Sequence, residues 1–195
     1  MTTFKPFLSA LAFLLLTSCA TNPMVEKQHY FLPDSLSESP SSAAVSEAPL
    51  IQLRAVALTD FLDNEGLVLQ LDDITLNQAK NHVWAESLQQ QIHRGLRERI
   101  NQQQQTLIVV GAQESAALSL SVEIDAFHGR HDGTAVTSGQ WQLKNKQGEL
   151  VALNRFSLDT ELKQPGYPAL VRALGQNLDK LAALIAKELK TLDLP

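Results

Sequence analysis

The residue with the clearest chemistry is Cys19, which is the only cysteine in the 195-residue chain. A thiol is a nucleophile and can accept a transferred group. Cys19 follows Leu16-Thr17-Ser18, so that a leucine and two small residues precede it directly. Small side chains leave the peptide bond before the cysteine open to a peptidase. The pattern indicates a cysteine that receives a diacylglycerol and becomes the first residue after cleavage.

The segment before Cys19 has the order of a signal peptide. Lys5 supplies a positive charge, and residues 7–16 then form an apolar run. This run has ten residues, whereas a helix that stays in a bilayer needs about 20. We therefore predict a lipoprotein signal peptide at residues 1–18, with a plain secretory signal as the alternative.

The lipid on Cys19 is the predicted membrane anchor, and it consists of a diacylglycerol on the thiol and an N-acyl chain. Residues 19–27 then form a short lipidated tether. Ala20 follows the cysteine, and because Asp at this place is the usual signal for retention in the inner membrane, Ala20 favours the outer one. We predict a location on the periplasmic face of the outer membrane, with no further cofactor and no metal.

The charge of the chain argues against two classes of partner. Lys5 leaves with the predicted signal, so the mature chain has 15 basic and 21 acidic residues and a formal charge of −6. An acidic protein does not bind nucleic acid through bulk electrostatics. It is also not held on anionic lipids by a polybasic patch, so the acyl chains must supply the anchoring.

The remaining chain is long enough for one domain with a sizeable core. We predict a single domain at 28–195, in which residues 34–49, rich in Ser, Ala and Pro, form a flexible loop. Apolar alternation and short apolar runs predict strands at 29–32, 50–58, 67–71, 107–110, 118–125, 134–143 and 150–162. In the last of these the alternation changes near Asn154, which predicts a bulge or a shift of face there.

Two long helices are predicted from apolar residues at helical spacing. The first begins with Asn81 as its N-cap, and its shared face is Trp84, Leu88, Ile92, Leu96 and Ile100. The second begins near Tyr167 and Pro168 and runs towards the C-terminus. The order of strands and helices predicts an α+β fold, with a mainly antiparallel sheet on which the two helices pack.

A hairpin in the middle of the chain carries the candidate contact residues. Residues 127–133 contain two glycines and an Asp-Gly pair, and they predict the turn between two strands. Loops on a rigid scaffold often bind partners, and aromatic and Arg residues are enriched at interfaces. The predicted contact residues are Phe127, Arg130, Asp132 and Trp141. The alternative is a solvated turn, with the tryptophan in the core.

The same turn contains His128, His131 and Asp132, which are residue types that bind metals. No third or fourth ligand lies close by at a spacing that would bring the side chains together. Asp-Gly is also explained by turn chemistry. We therefore prefer a solvent-facing turn over a metal site, and we predict no catalytic residue, since no nucleophile elbow or phosphate-binding glycine loop is present.

Four segments resemble the PqiC family, also called YmbA, the auxiliary lipoproteins of PqiABC intermembrane transport systems. They are residues 56–68, 84–88, 127–133 and 138–141, in the same order and spacing. The resemblance extends from the lipidation motif to the last helix, and residues 34–49 resemble the family least. It implies an α/β sandwich that is anchored to the outer membrane and works with an MCE-domain tunnel protein (PqiB-like) and, indirectly, a multipass inner-membrane protein (PqiA-like).

The function that the resemblance implies is that of a non-enzymatic accessory, which docks the MCE tunnel to the outer membrane and supports lipid transport and envelope integrity. Because a tunnel protein is itself a ring, we also predict that the domain forms a homo-oligomeric ring, with a monomer as the alternative. A purely structural tether and a periplasmic hydrolase remain as other functions. The hydrolase has the least support in the sequence.

Overall fold

The computed structural model of the chain describes residues 26–34, 49–103, 108–114 and 116–192. The predicted signal at 1–18, Cys19, most of the tether and residues 35–48 of the predicted loop lie outside them. The described part contains strands β1 to β9 and helices α1 and α2. The strands are β1 (Gln28–Tyr30), β2 (Leu50–Leu53), β3 (Ala57–Leu58), β4 (Gly66–Gln70), β5 (Leu76–Trp84), β6 (Ile108–Val110), β7 (Leu118–Arg130), β8 (Thr134–Asn145) and β9 (Leu150–Glu161). The helices are α1 (Leu88–Gln103) and α2 (Tyr167–Thr191).

The sheet is built around β7. One edge of β7 pairs antiparallel with β8 along its length, and β8 pairs antiparallel with β9. The other edge is shared by the short strands β2, β3 and β4, which all run parallel to it. β6 extends the sheet beyond β2, while β5 and then β1 extend it beyond β4. The sheet is mixed, and its long antiparallel part with two helices confirms the predicted α+β fold class.

The apolar alternation of β7 explains which face of the sheet is covered. Leu118, Leu120, Val122 and Ile124 are buried, while the residues between them are partly exposed. The pairing with β8 shifts by one residue between Ile124 and Ala126, which marks a β-bulge. α2 packs across β7, β8 and β9, and α1 packs on α2 and β6. In the described ranges, neither helix combines the length and the apolar character needed to cross a membrane.

α2 begins and packs as its sequence predicts. Gly166 precedes it with φ +109°, and a proline stands in its first turn, where no intrahelical N–H donor is required. Its buried stripe contributes about 1.5–3 kcal/mol for each large aliphatic side chain removed from water. The chain after β1 crosses α2 at Gly175. A Cβ at this position would come within 2.8 Å of the Pro33 ring, which explains the glycine within the helix.

The first helix begins later than predicted. α1 starts at Leu88, and both Asn81 and Trp84 belong to β5, so Asn81 is not the N-cap. β5 satisfies its backbone by pairing with β4 on one edge and β1 on the other. Its sequence is largely polar and does not alternate clearly, which is why a strand was not predicted. Trp84 is nevertheless buried, and its place four residues before Leu88 imitates a helical repeat.

The predicted strand at 50–58 is two strands, β2 and β3. Both pair with β7, yet three residues lie between Leu53 and Ala57 while two lie between their partners Leu120 and Glu123. The extra residue reverses which side chains face the core. Ala55 and Ala57 are therefore exposed, and Val56 is buried in their place.

Two further boundaries differ from the prediction. The bulge in β9 lies at Val151, because β8 residues 143 and 144 pair with residues 152 and 150, so the predicted bulge near Asn154 is wrong. The hairpin turn is also shorter than 127–133. β7 continues to Arg130, because its pairing with β8 persists up to Thr134.

Candidate functional site

The turn between β7 and β8 consists of residues 131–133. Gly133 has φ +83°, a conformation that side chains with a Cβ rarely adopt, and its N–H donates to the Arg130 carbonyl at 3.0 Å. The Thr134 N–H donates to Asp132 Oδ1 at 3.2 Å. These are the roles that an Asp-Gly pair plays in a tight hairpin.

The charges beside this turn pair with one another. Arg130 Nε donates to Asp132 Oδ2 at 2.8 Å, and its terminal nitrogens lie 3.4 Å from Asp159 Oδ2 on β9. The hydrogen bond to Asp132 raises the pKa of Arg130. Desolvation by itself raises the pKa of Asp132. The hydrogen bonds from Arg130 and Thr134 outweigh this effect and hold that pKa below its ordinary value. The turn therefore satisfies its charges within its own hairpin and β9.

The four predicted contact residues separate into two groups. Phe127 and Trp141 are only 2% and 3% exposed, and the Phe127 ring lies 6.3 Å from that of Trp84 in the core. The bulge after Ile124 turns Phe127 inwards. Arg130 and Asp132 are the two that reach the surface. Their contact with a partner stays a prediction.

The two histidines of the predicted turn occupy different environments. His128 is buried in β7, with Nδ1 3.0 Å from the Gly129 carbonyl oxygen. His131 is exposed in the turn. Across the described ranges, no three His, Cys, Asp or Glu side chains gather in a way that could hold an ion. The expected lack of a metal stays a prediction.

A second turn, residues 71–75 between β4 and β5, lies beside the first. Leu69 pairs with Gly129 and Gln70 with Arg130, so Leu71 comes next to His131. The Leu71 N–H donates to the Thr75 carbonyl at 2.9 Å, and Asp72 Oδ1 accepts from the N–H groups of Ile74 and Thr75. We call the surface formed by residues 71–76 and 131–133 the two-turn end, and "the turn at 71–76" means the second turn together with Leu76, the first residue of β5.

The second turn exposes aliphatic side chains. Ile74 is 88% exposed, Leu71 52% and Leu76 42%. The hydrogen bond from the Ile74 N–H is the largest cause that lowers the pKa of Asp72, and the nearby His131 adds to it. This turn is not among the predicted ones, although an Asp-Asp pair after an alternating stretch is a signal for it.

The segment 84–88, which carries part of the family resemblance, is a junction between strand and helix. The N–H groups of Trp84 and Ala85 donate to the carbonyls of Glu65 and Tyr30, at 2.7 and 2.9 Å. Glu86 forms an ion pair with Arg94 of α1. A groove of about 500 Å³ lies here, lined by polar and apolar residues, among them His29, Asp63, Glu65 and residues 83–88.

Two buried polar residues, which the sequence analysis also missed, hold the layers together. Arg99 of α1 is 2% exposed and donates to Asp179 of α2 at 2.6 Å and to the Pro33 carbonyl at 2.6 Å. Asn177 of α2 is fully buried and donates to the carbonyls of Ala135 and Leu158. Each interrupts an apolar helical stripe, which is the signal that could have identified it.

The model of the ABC-type transport auxiliary lipoprotein component matches residues 30–186. The chain belongs to this family. Relatives of this auxiliary lipoprotein include the intermembrane transport lipoproteins PqiC of Escherichia coli (strain K12) and Shigella flexneri, each 33% identical over 189 residues. The alignment covers 96% of this chain and 99% of each relative, which confirms the resemblance to PqiC.

Solved structures share the fold of this auxiliary lipoprotein. The crystal structure of an uncharacterized protein matches with a TM-score of 0.73 and 30% identity, over 84% of this chain and 99% of that one. A Xanthomonas campestris protein described by the family model DUF330 matches over the same shares, with a TM-score of 0.68 and 13% identity. The second likeness concerns the fold alone.

Proposed function

We propose that this auxiliary lipoprotein is the outer-membrane component of a PqiABC-like system that moves lipids between membranes. The observation that carries the proposal is its similarity to PqiC, which extends over 96% of the chain and 99% of the relative. A similarity over full length includes the surfaces by which such a protein meets its partners. The proposed role is to dock an MCE tunnel protein to the periplasmic face of the outer membrane and so support envelope integrity.

The proposed anchor is the lipid on Cys19. Its support is the run Leu16-Thr17-Ser18-Cys19 after a short apolar segment, together with the description of the family as lipoproteins. Ala20 favours the outer membrane as the destination. We propose that the acyl chains are the only attached group and that residues 28–195 form one domain behind a short tether.

The proposed role is non-enzymatic, and it involves several partners. The family is described as an auxiliary component of transport, which supports binding rather than catalysis. The direct partner is the MCE tunnel protein, and the multipass inner-membrane protein is reached through it. A homo-oligomeric ring of this chain would match the end of a tunnel, since closed cyclic symmetry places the same surface at each position.

A structural tether that does not touch the transported lipid is the second candidate. Two grooves of the described part favour it, because charged and polar side chains line them beside apolar ones. The first is the groove at residues 83–88, and the other, of about 540 Å³, includes Asp125, Gln140 and Arg155. A lipid-carrying groove is expected to be mostly apolar.

Cell fractionation combined with co-purification tests the proposal. We expect the wild-type chain in the outer-membrane fraction, and we expect it to recover the MCE protein after crosslinking. Cys19→Ser is expected in the soluble periplasm, because nothing replaces the acyl chains. Ala20→Asp is the matched control, which keeps the lipid and is expected in the inner membrane.

The two parts of the proposal fail in different ways. Cys19→Ser that stays in the outer-membrane fraction contradicts the lipid anchor. A correctly located wild-type chain that never recovers the MCE protein contradicts docking and leaves the anchor intact.

A further inference from the structure

The second turn of the two-turn end concentrates exposed aliphatic surface. Leu71, Ile74 and Leu76 lie within six residues, and Ile74 is the most exposed large apolar side chain among the described residues. Single exposed apolar residues are normal on a protein surface, but a local group of them indicates a binding surface.

The turn is held in shape, so the exposure of Ile74 is not the result of a loose loop. Asp72 Oδ1 accepts from the Ile74 N–H at 2.9 Å and from the Thr75 N–H at 2.7 Å. The backbone closes behind them, where the Leu71 N–H donates to Thr75. The hydrogen bonds fix Ile74 at the apex, with its side chain in solvent.

The direction of β1 determines the end of the sheet at which the chain enters the domain. β1 runs parallel to β5, with Gln28 opposite His82, so the chain reaches Gln28 from the side on which β5 begins. β5 begins at Leu76, directly after the turn. His82 lies six positions after Leu76 in the strand, which corresponds to a distance of about 20 Å.

The length of the tether allows the turn and the lipid to meet the same surface. Gln28 lies nine positions after Cys19, and a fully extended chain of that length spans at most about 30 Å. This exceeds the roughly 20 Å from the level of Gln28 to the turn. A lipid on Cys19 can therefore enter a bilayer on which the turn rests.

We propose that the turn at 71–76 inserts its aliphatic side chains into the bilayer that holds the lipid on Cys19, and so orients the domain on the membrane. The proposal rests on the lipid anchor proposed above. Asp72 and Asp73 lie in the same turn, so the contact is apolar rather than electrostatic and suits a zwitterionic surface better than an anionic one.

A second exposed aliphatic group lies elsewhere and supplies the control. Leu150, Val151 and Leu153 are 54%, 40% and 51% exposed at the start of β9. This strand begins beside Lys144, at the opposite end of β8 from the two-turn end. A domain that rests on the membrane by the turn at 71–76 holds these residues away from it.

Labelling of a single thiol tests the orientation. In the lipidated mature chain Cys19 is blocked, so Ile74→Cys provides one free thiol for an environment-sensitive fluorophore, and Leu150→Cys is the matched control. The chains are reconstituted in phosphatidylcholine vesicles that contain a nitroxide-labelled lipid. We expect a blue shift and quenching for the label at position 74 and neither for the label at position 150. Added phosphatidylglycerol is expected to weaken the quenching.

Flotation of the vesicles separates this proposal from the anchor. A chain that does not float with the vesicles contradicts the lipid anchor. A chain that floats while its label at position 74 stays unquenched overturns the membrane contact and leaves the anchor intact. A blue shift that depends on protein concentration and occurs without vesicles also overturns it, because it assigns the turn to a contact with a second copy of the chain.

Discussion

The two neighbouring turns of the two-turn end differ in length and in the side chains that they expose. Each contains an aspartate that accepts from the backbone: Asp132 accepts from one N–H group and Asp72 accepts from two. In the first turn, Asp132 is paired with Arg130. The second carries an exposed isoleucine at its apex.

The difference teaches that residue type alone is a poor guide to a contact surface. The hairpin with Phe127 and Trp141 was predicted as the contact because aromatic and Arg residues are common at interfaces. Its aromatic residues are buried and its arginine is paired. The second turn, which leaves apolar surface exposed, contains no aromatic residue and so was not predicted as a contact.

The largest effect is expected for Phe127→Ala, which tests whether the aromatic part of the first hairpin is core. Removing a buried Phe leaves a cavity, and we expect the free energy of unfolding to fall by about 3–5 kcal/mol. Urea unfolding of the mature domain measures this change. Phe31→Ala is the matched control, because Phe31 is 61% exposed and its loss is expected to cost less than about 0.5 kcal/mol. Equal losses in the two variants would contradict the division into core and surface.

An intermediate, local effect is expected for Asp72→Ala in the second turn. The pKa of Asp72 is lowered in the folded chain, so its stabilisation is present above the ordinary pKa and is lost as the pH falls through the folded value. We expect the amide NMR signals of Ile74 and Thr75 to titrate below pH of about 3.9, the ordinary pKa of Asp, and this step to vanish in the variant.

Asp73→Ala is the control for this prediction. Among the described contacts, the side chain that accepts from the N–H groups of Ile74 and Thr75 is that of Asp72. The step should therefore persist without Asp73. Its loss in Asp73→Ala, or its survival in Asp72→Ala, would contradict the assignment.

The smallest effect on stability is expected for Arg130→Ala, which removes the ion pair with Asp132 and keeps the bond from the Thr134 N–H to Asp132. Both side chains are partly exposed, and ion pairs of this kind contribute little. We expect an unfolding midpoint that does not change within error. If the first turn forms the predicted ring contact, light scattering should give several chains per particle for the wild type and one for Arg130→Ala. A wild type that is monomeric at every concentration would contradict the predicted homo-oligomeric ring.

The sequence predicted the elements whose apolar period is local. β7 and α2 show a clear repeat of two or of 3.6 residues, and both are confirmed, as is the fold class. β5 was missed because its stability comes from pairing on both edges, which its polar sequence does not reveal. The one-residue offset between β2 and β3 likewise depends on their partner strand.

The candidate site was harder to predict because it depends on contacts between distant residues. The two turns come together only through the pairing of Leu69 with Gly129. Arg99 and Asn177 find their partners on other elements, and no local pattern specifies these partners. The prediction for Cys19 differs from these, because it depends on four consecutive residues and on no contact between distant ones.

The sharing of one edge of β7 by β2, β3 and β4 has a consequence for the order of folding. β7, β8, β9 and α2 follow one another along the chain, so their contacts close short loops. Before β7 is available, β2 can pair only with the short strand β6 and β3 has no partner strand among the described residues. Leu69 pairs with Gly129, which comes 60 positions later in the chain. Closing longer loops costs more conformational entropy. We therefore expect the C-terminal half to act as a template, and the half that is synthesised first to be the half that folds last.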